Sequence, residues 1–305
     1  MRKNTIVCIG AALVDESFIC MNEPIPGTSN PSNYYRSAGG VARNVAHSLA
    51  QLGNNVELIT HFGNDIEWKW LMDECTSSGM SLSHSAINNI PTGRYVAVLS
   101  SDGDLYIGAA ATSFELSITV SFLKEKIDML KSAILIQMDC NLSEECINWL
   151  LDFCRNENKD CIIEPVSVAK ASRLQYSNFK NVLLISPNQD ELPVITNLTL
   201  QNNYDHHIHQ LLYHGIRYVW IRNGKEGSKI FSINDIHEHA ASSIPIVDAT
   251  GAGDAALAGW IHAFLLGKKP KECLQYGHAM ADLILQTKGA VLKKLTSDLL
   301  ESKMI

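Results

Sequence analysis

Asp248-Ala249-Thr250-Gly251-Ala252-Gly253-Asp254-Ala255 follows the apolar run Ile244-Pro245-Ile246-Val247 and opens a long apolar segment that ends near Gly267. Two glycines around one small residue let the backbone come close to a ligand. A helix beginning there aims unpaired N–H groups and its positive dipole end at the same spot. Such a place suits phosphate. Asp254, in the first turn, adds a carboxylate that can accept a hydroxyl proton while the amides hold the group being transferred. Together these features suggest phosphoryl transfer to an alcohol. Two other readings compete. An acid in a first helical turn also occurs simply as a complement to the dipole. Gly251-Ala252-Gly253-Asp254-Ala255-Ala256 also meets the glycine spacing of a dinucleotide fingerprint, but that motif wants an acid about 20 positions on within a full strand-helix-strand unit. The acid at that range is Glu272, in the Lys268–Glu272 turn, with no clear strand before it.

Working outward, 305 residues at 46% hydrophobic and 19% charged are enough for a substantial core in one large α/β domain or two. A net charge of −7 without a basic run argues against nucleic acid as a main partner. The amino terminus, Met1-Arg2-Lys3-Asn4, leads straight into a short apolar strand with no signal-peptide core, and no run of about 18 apolar residues occurs. A cytosolic protein without membrane partners is the expectation. The eight cysteines are scattered, form no Cys-x-x-Cys and sit mostly in apolar runs, so buried free thiols are expected. His206-His207-x-His209 reads as a solvated helix face rather than a metal cluster, because no cysteine or carboxylate pattern converges on it.

In chain order, Thr5–Gly10 is a buried-type strand whose end carries Gly10 and then Asp15, placed for sugar hydroxyls or as a turn carboxylate. Residues 22–38 read as a loop and an edge strand. Gly39-Gly40 starts a helix over Val41–Leu52, closed by Gly53, with Asn44 one turn in. Val56–Thr60 reads as a strand and Ile66–Ser78 as a helix. Tyr95–Leu99, a Ser-Ser-Asp-Gly-Asp turn and Leu105–Ile107 form a hairpin outside the main sheet. The α/β rhythm then resumes through strands at Ile134–Met138, Cys161–Ile163, Val182–Ile185 and Tyr218–Arg222, with helices at Ser143–Asn156, Asn188–Ile195 and Pro270–Leu285. Strands apolar throughout and separated by helices mean a parallel sheet covered on both faces, with ligands at its carboxyl ends. Those ends carry Asp139 and Asn141, Glu164, Asn188 with Glu191, and Arg222-Asn223-Gly224. Asn188 and Glu191 have the spacing of a capping box as well as that of a metal or phosphate element. No Walker sequence is present.

Gly39-Gly40-Val41-Ala42-Arg43-Asn44-Val45-Ala46 together with the 248–255 stretch resembles the two signatures of the ribokinase-like (PfkB) carbohydrate and nucleoside kinases, over essentially the whole chain. The resemblance implies one kinase domain over 1–305. Its fold is α/β, a central mostly parallel sheet with helices on both faces, plus a small β-lid at about 15–38 and 92–108 that often forms a homodimer interface. It implies Asp254 as catalytic base, Gly251-Ala252-Gly253 as the anion hole, and ATP with Mg²⁺ as donor and metal. On the substrate side it implies Asp15, Gly39, Gly40 and Asn44, and Tyr95, Asp139, Glu164 and Lys170 are taken with them. Asn188, Asn223, Gly224, Gly227 and Thr250 fall on the nucleotide side. Glu191 would organise Mg²⁺ indirectly, and Asp248 with Thr250 matches a monovalent-cation position, with K⁺ the candidate. Thr28-Ser29-Asn30-Pro31 and Glu164-Pro165-Val166-Ser167-Val168-Ala169-Lys170-Ala171 resemble pseudouridine kinases within the family, and Ser29-Asn30 could hydrogen-bond a uracil edge. Lys170 either meets a phosphate or is solvated. The expected reaction is therefore phosphorylation of a nucleoside 5′-hydroxyl. A kinase of ribose or adenosine and a ligand-sensing protein on the same fold are the alternatives.

Overall fold

The computed structural model describes residues 4–111, 117–199 and 204–304. In chain order the strands are β1 (Thr5–Ile9), β2 (Leu13–Cys20), β3 (Ser32–Gly39), β4 (Asn55–Ile59), β5 (His61–Phe62), β6 (Ala86–Ile87), β7 (Arg94–Leu99), β8 (Leu105–Ala111), β9 (Ala133–Asp139), β10 (Asp160–Glu164), β11 (Val182–Ile185), β12 (Tyr218–Arg222), β13 (Ser228–Phe231) and β14 (Ile236–His239). Among the described residues the main sheet has eight strands in the order β14-β13-β12-β11-β10-β9-β1-β4. From β12 to β4 neighbouring strands run parallel, whereas β13 and β14 are antiparallel additions at one edge.

Alternation along a strand explains how one sheet serves two cores. In β1, Ile6 and Cys8 face a core shared with the helices Val41–Gln51, Ala252–Leu265 and Pro270–Leu285. Val7 and Ile9 face the opposite core, which takes in the helices Glu144–Asn156 and Asp205–Tyr213. Both faces are therefore apolar, as the unbroken apolar runs required. All eight cysteines are buried and free.

A second sheet, β3-β2-β7-β8, stands apart from the main one. β2 pairs antiparallel with β3 and parallel with β7, and β7 and β8 form the hairpin read from the sequence. Strand β8 is exposed along its whole length. Arg94 on β7 bridges Glu16 on β2 and Glu67 on the helix Glu67–Thr76, which anchors this sheet to the body.

Three local expectations are corrected, and two strands went unread. Asp15 lies inside the eight-residue strand β2, paired with Ser37 and Tyr95, rather than in a turn after β1. The helix expected at 188–195 is confined to Leu192–Thr196, because Pro193 lacks an N–H and belongs in a first turn. His207 is buried against Thr196 rather than solvated, while His206 and His209 stay exposed. The edge strands β13 and β14 went unread. Their short, half-polar segments carry little apolar signal.

One carboxylate fixes how the first strand meets the first helix. Fully buried Asp139, at the end of β9, accepts N–H bonds from Ala11 at 3.1 Å, Ala42 at 2.8 Å and Asn141 at 2.9 Å. Burial pushes its pKa up and the amide donors oppose that. Gly40 caps the helix at φ 97°, where a Cβ would also strike the Ala11 carbonyl. Asp139→Ala leaves these amides buried without an acceptor. It is expected to cost about 3 kcal/mol, because bonds to a charged group contribute more than neutral ones. Urea unfolding checks this as a lower midpoint at unchanged slope; a midpoint equal to wild type contradicts the clamp.

Candidate active site

The two sequence signatures meet in space. Asn44, near the start of the helix Val41–Gln51, donates through Nδ2 to Asp254 Oδ2 at 2.8 Å across 210 residues of chain. The amide is oriented from behind. Arg43, wholly buried, donates through Nη1 to Asn44 Oδ1 at 3.0 Å, and an arginine can only donate, so the NH₂ must face Asp254.

Asp254 sits in the first turn of the helix Ala252–Leu265, whose cap Gly251 adopts φ 75° with its Cα against the Ala290 backbone. The first internal bond is Ala255 N–H to the Gly251 carbonyl at 2.9 Å. The N–H groups of Gly253 and Asp254 have no acceptor among the described residues, as expected at a helix start. A dipole end and free amides thus converge beside one carboxylate. The segment 244–247 before this turn is not a strand, and Ile246 and Val247 are exposed, which removes the dinucleotide-fingerprint alternative.

Burial raises the Asp254 pKa to about 7, and Glu164 and Asp139 add like-charge repulsion against the lowering by Asn44 and Arg222. Asp15 also rises to about 7 through burial, opposed by the Arg43 charge. Glu191 reaches about 7 through burial and the nearby Glu164 charge. Asp254, Asp15 and Glu191 are thus three carboxyls poised near neutrality, the property that acid–base chemistry at pH 7 needs.

The other expected site residues lie on the small sheet, at strand ends and in turns. Asp15 and Tyr95 are direct partners on adjacent strands of the small sheet, so their side chains share a face. The Asp15 carboxylate lies where any Cβ on Gly39 would fall. Asn188 and Glu191 bond reciprocally, Asn188 N–H to Glu191 Oε2 and Glu191 N–H to Asn188 Oδ1, both at 2.9 Å. The capping-box geometry is therefore real, on a turn rather than a helix end. Gly224 and Gly227 form the turn joining β12 to β13, and Asn223 Oδ1 beside them is buried without a hydrogen-bond partner. Thr250 and Ser29 are exposed.

Asp139, Glu164, Asn30 and Asp248, expected at ligands, each make hydrogen bonds within the protein. Asp139 is fully buried and committed to amides. Glu164, buried at the end of β10, accepts from Ser186 Oγ at 2.6 Å and Arg222 Nη2 at 2.7 Å. The Asn30 amide is spent on its own loop, accepting from Ile25 N–H and donating to the carbonyls of Ile25 and Thr28. Asp248 accepts from Thr250 N–H at 2.9 Å and Gly289 N–H at 3.0 Å. Burial works against its charge, but these amides prevail and hold its pKa below the usual carboxylate value. Lys170 Nζ contacts Asn141 Oδ1, while Arg173 holds the carbonyls of Cys140, Asn141 and Leu142. Between Glu164 and Lys170, Val166 adopts φ 74°, a costly conformation for a β-branched residue and one that clusters at functional sites.

Sequence reading placed Arg222 at a ligand-bearing strand end and Arg43 in the first signature but gave neither a role. A signal for Arg222 was available: opposite charges end β10 and β12, two strands apart in the sheet.

A family profile described as pfkB family carbohydrate kinase matches residues 3–296. The chain belongs to that family and is a phosphotransferase with an alcohol acceptor. It is 26% identical over 296 residues to the pseudouridine kinase of Escherichia coli (strain K12), covering 93% of this chain and 91% of that protein. Guanosine-inosine kinase of Exiguobacterium acetylicum is 23% identical over 300 residues, covering 96% and 98%. The structure of Arabidopsis thaliana ribokinase complexed with ribose and ATP superposes with a TM-score of 0.84 at 21% identity, over 100% of this chain and 99% of that one. The ribokinase fold read from the sequence is the fold observed.

The raised Asp254 pKa has a consequence for stability. A carboxyl that titrates near 7 when folded and near 3.9 when unfolded stabilises the native state fully below about pH 4, and that contribution is lost as pH rises through about 7. Asp254→Asn removes the charge and keeps an oxygen for Asn44. The variant should melt at least about 2 °C above wild type at pH 8, with the gap closing towards pH 5. Equal melting temperatures at both pH values contradict the raised pKa.

Proposed function

We propose that the protein transfers the γ-phosphoryl group of ATP to the 5′-hydroxyl of pseudouridine. The observation that carries the chemistry is the Asp254 carboxylate, poised near pH 7 beside the unbonded amides of Gly253 and Asp254. In this reading Asp254 takes the hydroxyl proton as the acceptor oxygen closes on the γ-phosphorus. The bond from that phosphorus to the β,γ-bridging oxygen breaks, and ADP leaves with its electron pair. The amides of the glycine turn take up the charge that develops on the equatorial oxygens.

Hard oxygen donors at the site fit Mg²⁺: the Glu191 carboxylate keeps Oε1 without a hydrogen bond among the described residues, and Asn188 lies beside it. A magnesium ion held there, through water, would neutralise phosphate charge. Asp15, with Gly39 and Gly40 behind it and Tyr95 on its own face, is the group assigned to the acceptor's sugar hydroxyls. Closure of the β2-β3-β7-β8 sheet over the acceptor would exclude water and limit ATP hydrolysis.

Pseudouridine as acceptor is supported by the likeness to the E. coli pseudouridine kinase and by the 28–31 and 164–171 stretches. Of these, exposed Ser29 is free to approach a base, while Asn30 holds the loop that presents it. Phosphorylation assays with ATP across pseudouridine, uridine, adenosine, ribose and fructose, scored by product mass, test the reading. The highest kcat/KM should belong to pseudouridine. Another acceptor favoured by about tenfold replaces the substrate and keeps the kinase, whereas no product from any acceptor contradicts both. With the favoured acceptor, Asp254→Asn should lower kcat by about 10²- to 10⁴-fold. The wild-type kcat/KM should climb with pH to a plateau above about 7 as Asp254 ionises. Asn44→Ala withdraws a bond that favours the carboxylate, so its pH limb should move to higher pH; an unmoved limb excludes Asp254 as the titrating group.

A further inference from the structure

A guanidinium stands at the rim of the glycine turn. Arg222 ends β12, and its Nη1 lies 2.5 Å from where a Cβ on Gly253 would be. Only a glycine at 253 leaves room for it. The rest of the fork is tethered away from the turn: Nη2 donates to Glu164 Oε1 at 2.7 Å and to the Ser186 carbonyl at 2.7 Å. Glu164 is itself held through its other oxygen by Ser186 Oγ at 2.6 Å. The tether spans three adjacent strand ends, since β11 lies between β10 and β12 and leads into Ser186.

Two donors remain. Nη1 makes no hydrogen bond among the described residues, and Nε is buried without a partner. An arginine cannot shed a proton to relieve this, and buried donors left unmatched are costly. Burial works against its charge, yet Glu164, Glu191 and Asp254 around it hold the guanidinium pKa above its ordinary value. A permanent cation is thus fixed by one nitrogen while another faces the same turn as the free amides of Gly253 and Asp254. The ligand that such a fork and such amides both suit is a phosphate oxygen.

We propose that Arg222 is a catalytic residue of this kinase, its Nη1 donating to an oxygen of the transferring phosphoryl group at the Gly251–Asp254 turn, and that Glu164 is the positioning residue that aims it. This rests on the kinase reading above. Arg222 exchanges no proton in the step; it meets negative charge that the backbone amides alone would otherwise carry.

The test is kinetic and chemical. With the favoured acceptor, Arg222→Ala should lower kcat by about 10²- to 10³-fold, the loss typical of a transition-state donor. The KM for the acceptor should stay within about threefold, because the proposal places Arg222 on the phosphoryl group and not on the nucleoside. Arg222→Lys should fall between the two, keeping the charge and losing the fork. Millimolar guanidinium added to Arg222→Ala should restore turnover saturably, by about tenfold or more, a response that a merely structural role would not give. Because Arg222→Ala strands the Glu164 carboxylate, Arg222→Ala/Glu164→Gln removes both charges together and keeps the rescue measurable if the single variant does not fold. Turnover of Arg222→Ala within about threefold of wild type, or a loss that guanidinium does not repair in either folded variant, overturns the proposal. The two readings fail separately. A wild-type protein that phosphorylates no acceptor, yet loses calorimetric ATP affinity on Arg222→Ala, contradicts the kinase and keeps Arg222 as a phosphate ligand.

Discussion

The site depends on a single buried carboxylate gathering three backbone amides. Asp139 ends one strand, yet its acceptors hold the turn after β1, the first residues of the helix that begins at Val41, and its own following turn. That helix is thereby pinned end-on to the sheet. Asn44, one turn along, then has a fixed position from which to reach Asp254. Without the clamp the helix could slide, and a hydrogen bond spanning the two halves of the chain would have nothing to register it.

From this constraint follows an electrostatic arrangement that no single residue explains. Burial lifts the pKa values of Asp254, Glu191 and Asp15 to about 7, and like-charge repulsion from Glu164 adds to the rise of Asp254 and Glu191. Two arginines, Arg43 buried and Arg222 half-buried, keep this arrangement tolerable. Arg43 sits under the acceptor half and orients Asn44, while Arg222 sits under the phosphate half and pairs with Glu164. A site arranged in this way is strained towards accepting a proton and an anion, which are the two things phosphoryl transfer from ATP to an alcohol brings to it.

Much of this architecture was legible in the sequence, for identifiable reasons. Strands buried on both faces leave unbroken apolar runs, so β1, β9, β10, β11 and β12 could be placed to within a residue or so, and the turn and flanking alternation of β7-β8 announced a hairpin. Glycines at 40 and 251 were visible because no other residue fits their backbone. β2 was not visible, since a strand with one partly exposed face and two acids, Asp15 and Glu16, carries weak strand preference. What side chains do after folding was the least legible. Nothing local says that the Asn30 amide is consumed by Ile25 and Thr28, or that Glu164 and Arg222 meet across the intervening strand. The first depends on how one loop folds on itself and the second on sheet order, and periodicity encodes neither.

The central claim is that Asp254 faces the accepting hydroxyl while the glycine turn holds the transferring phosphate. A crystal structure with pseudouridine and a non-hydrolysable ATP analogue addresses it most directly. The account predicts the 5′-hydroxyl oxygen within about 3 Å of an Asp254 carboxylate oxygen, the γ-phosphate on the amides of Gly253 and Asp254, and the sugar hydroxyls on Asp15. A nucleoside bound with its 5′-hydroxyl turned away from Asp254, or a γ-phosphate seated off the turn, would contradict it.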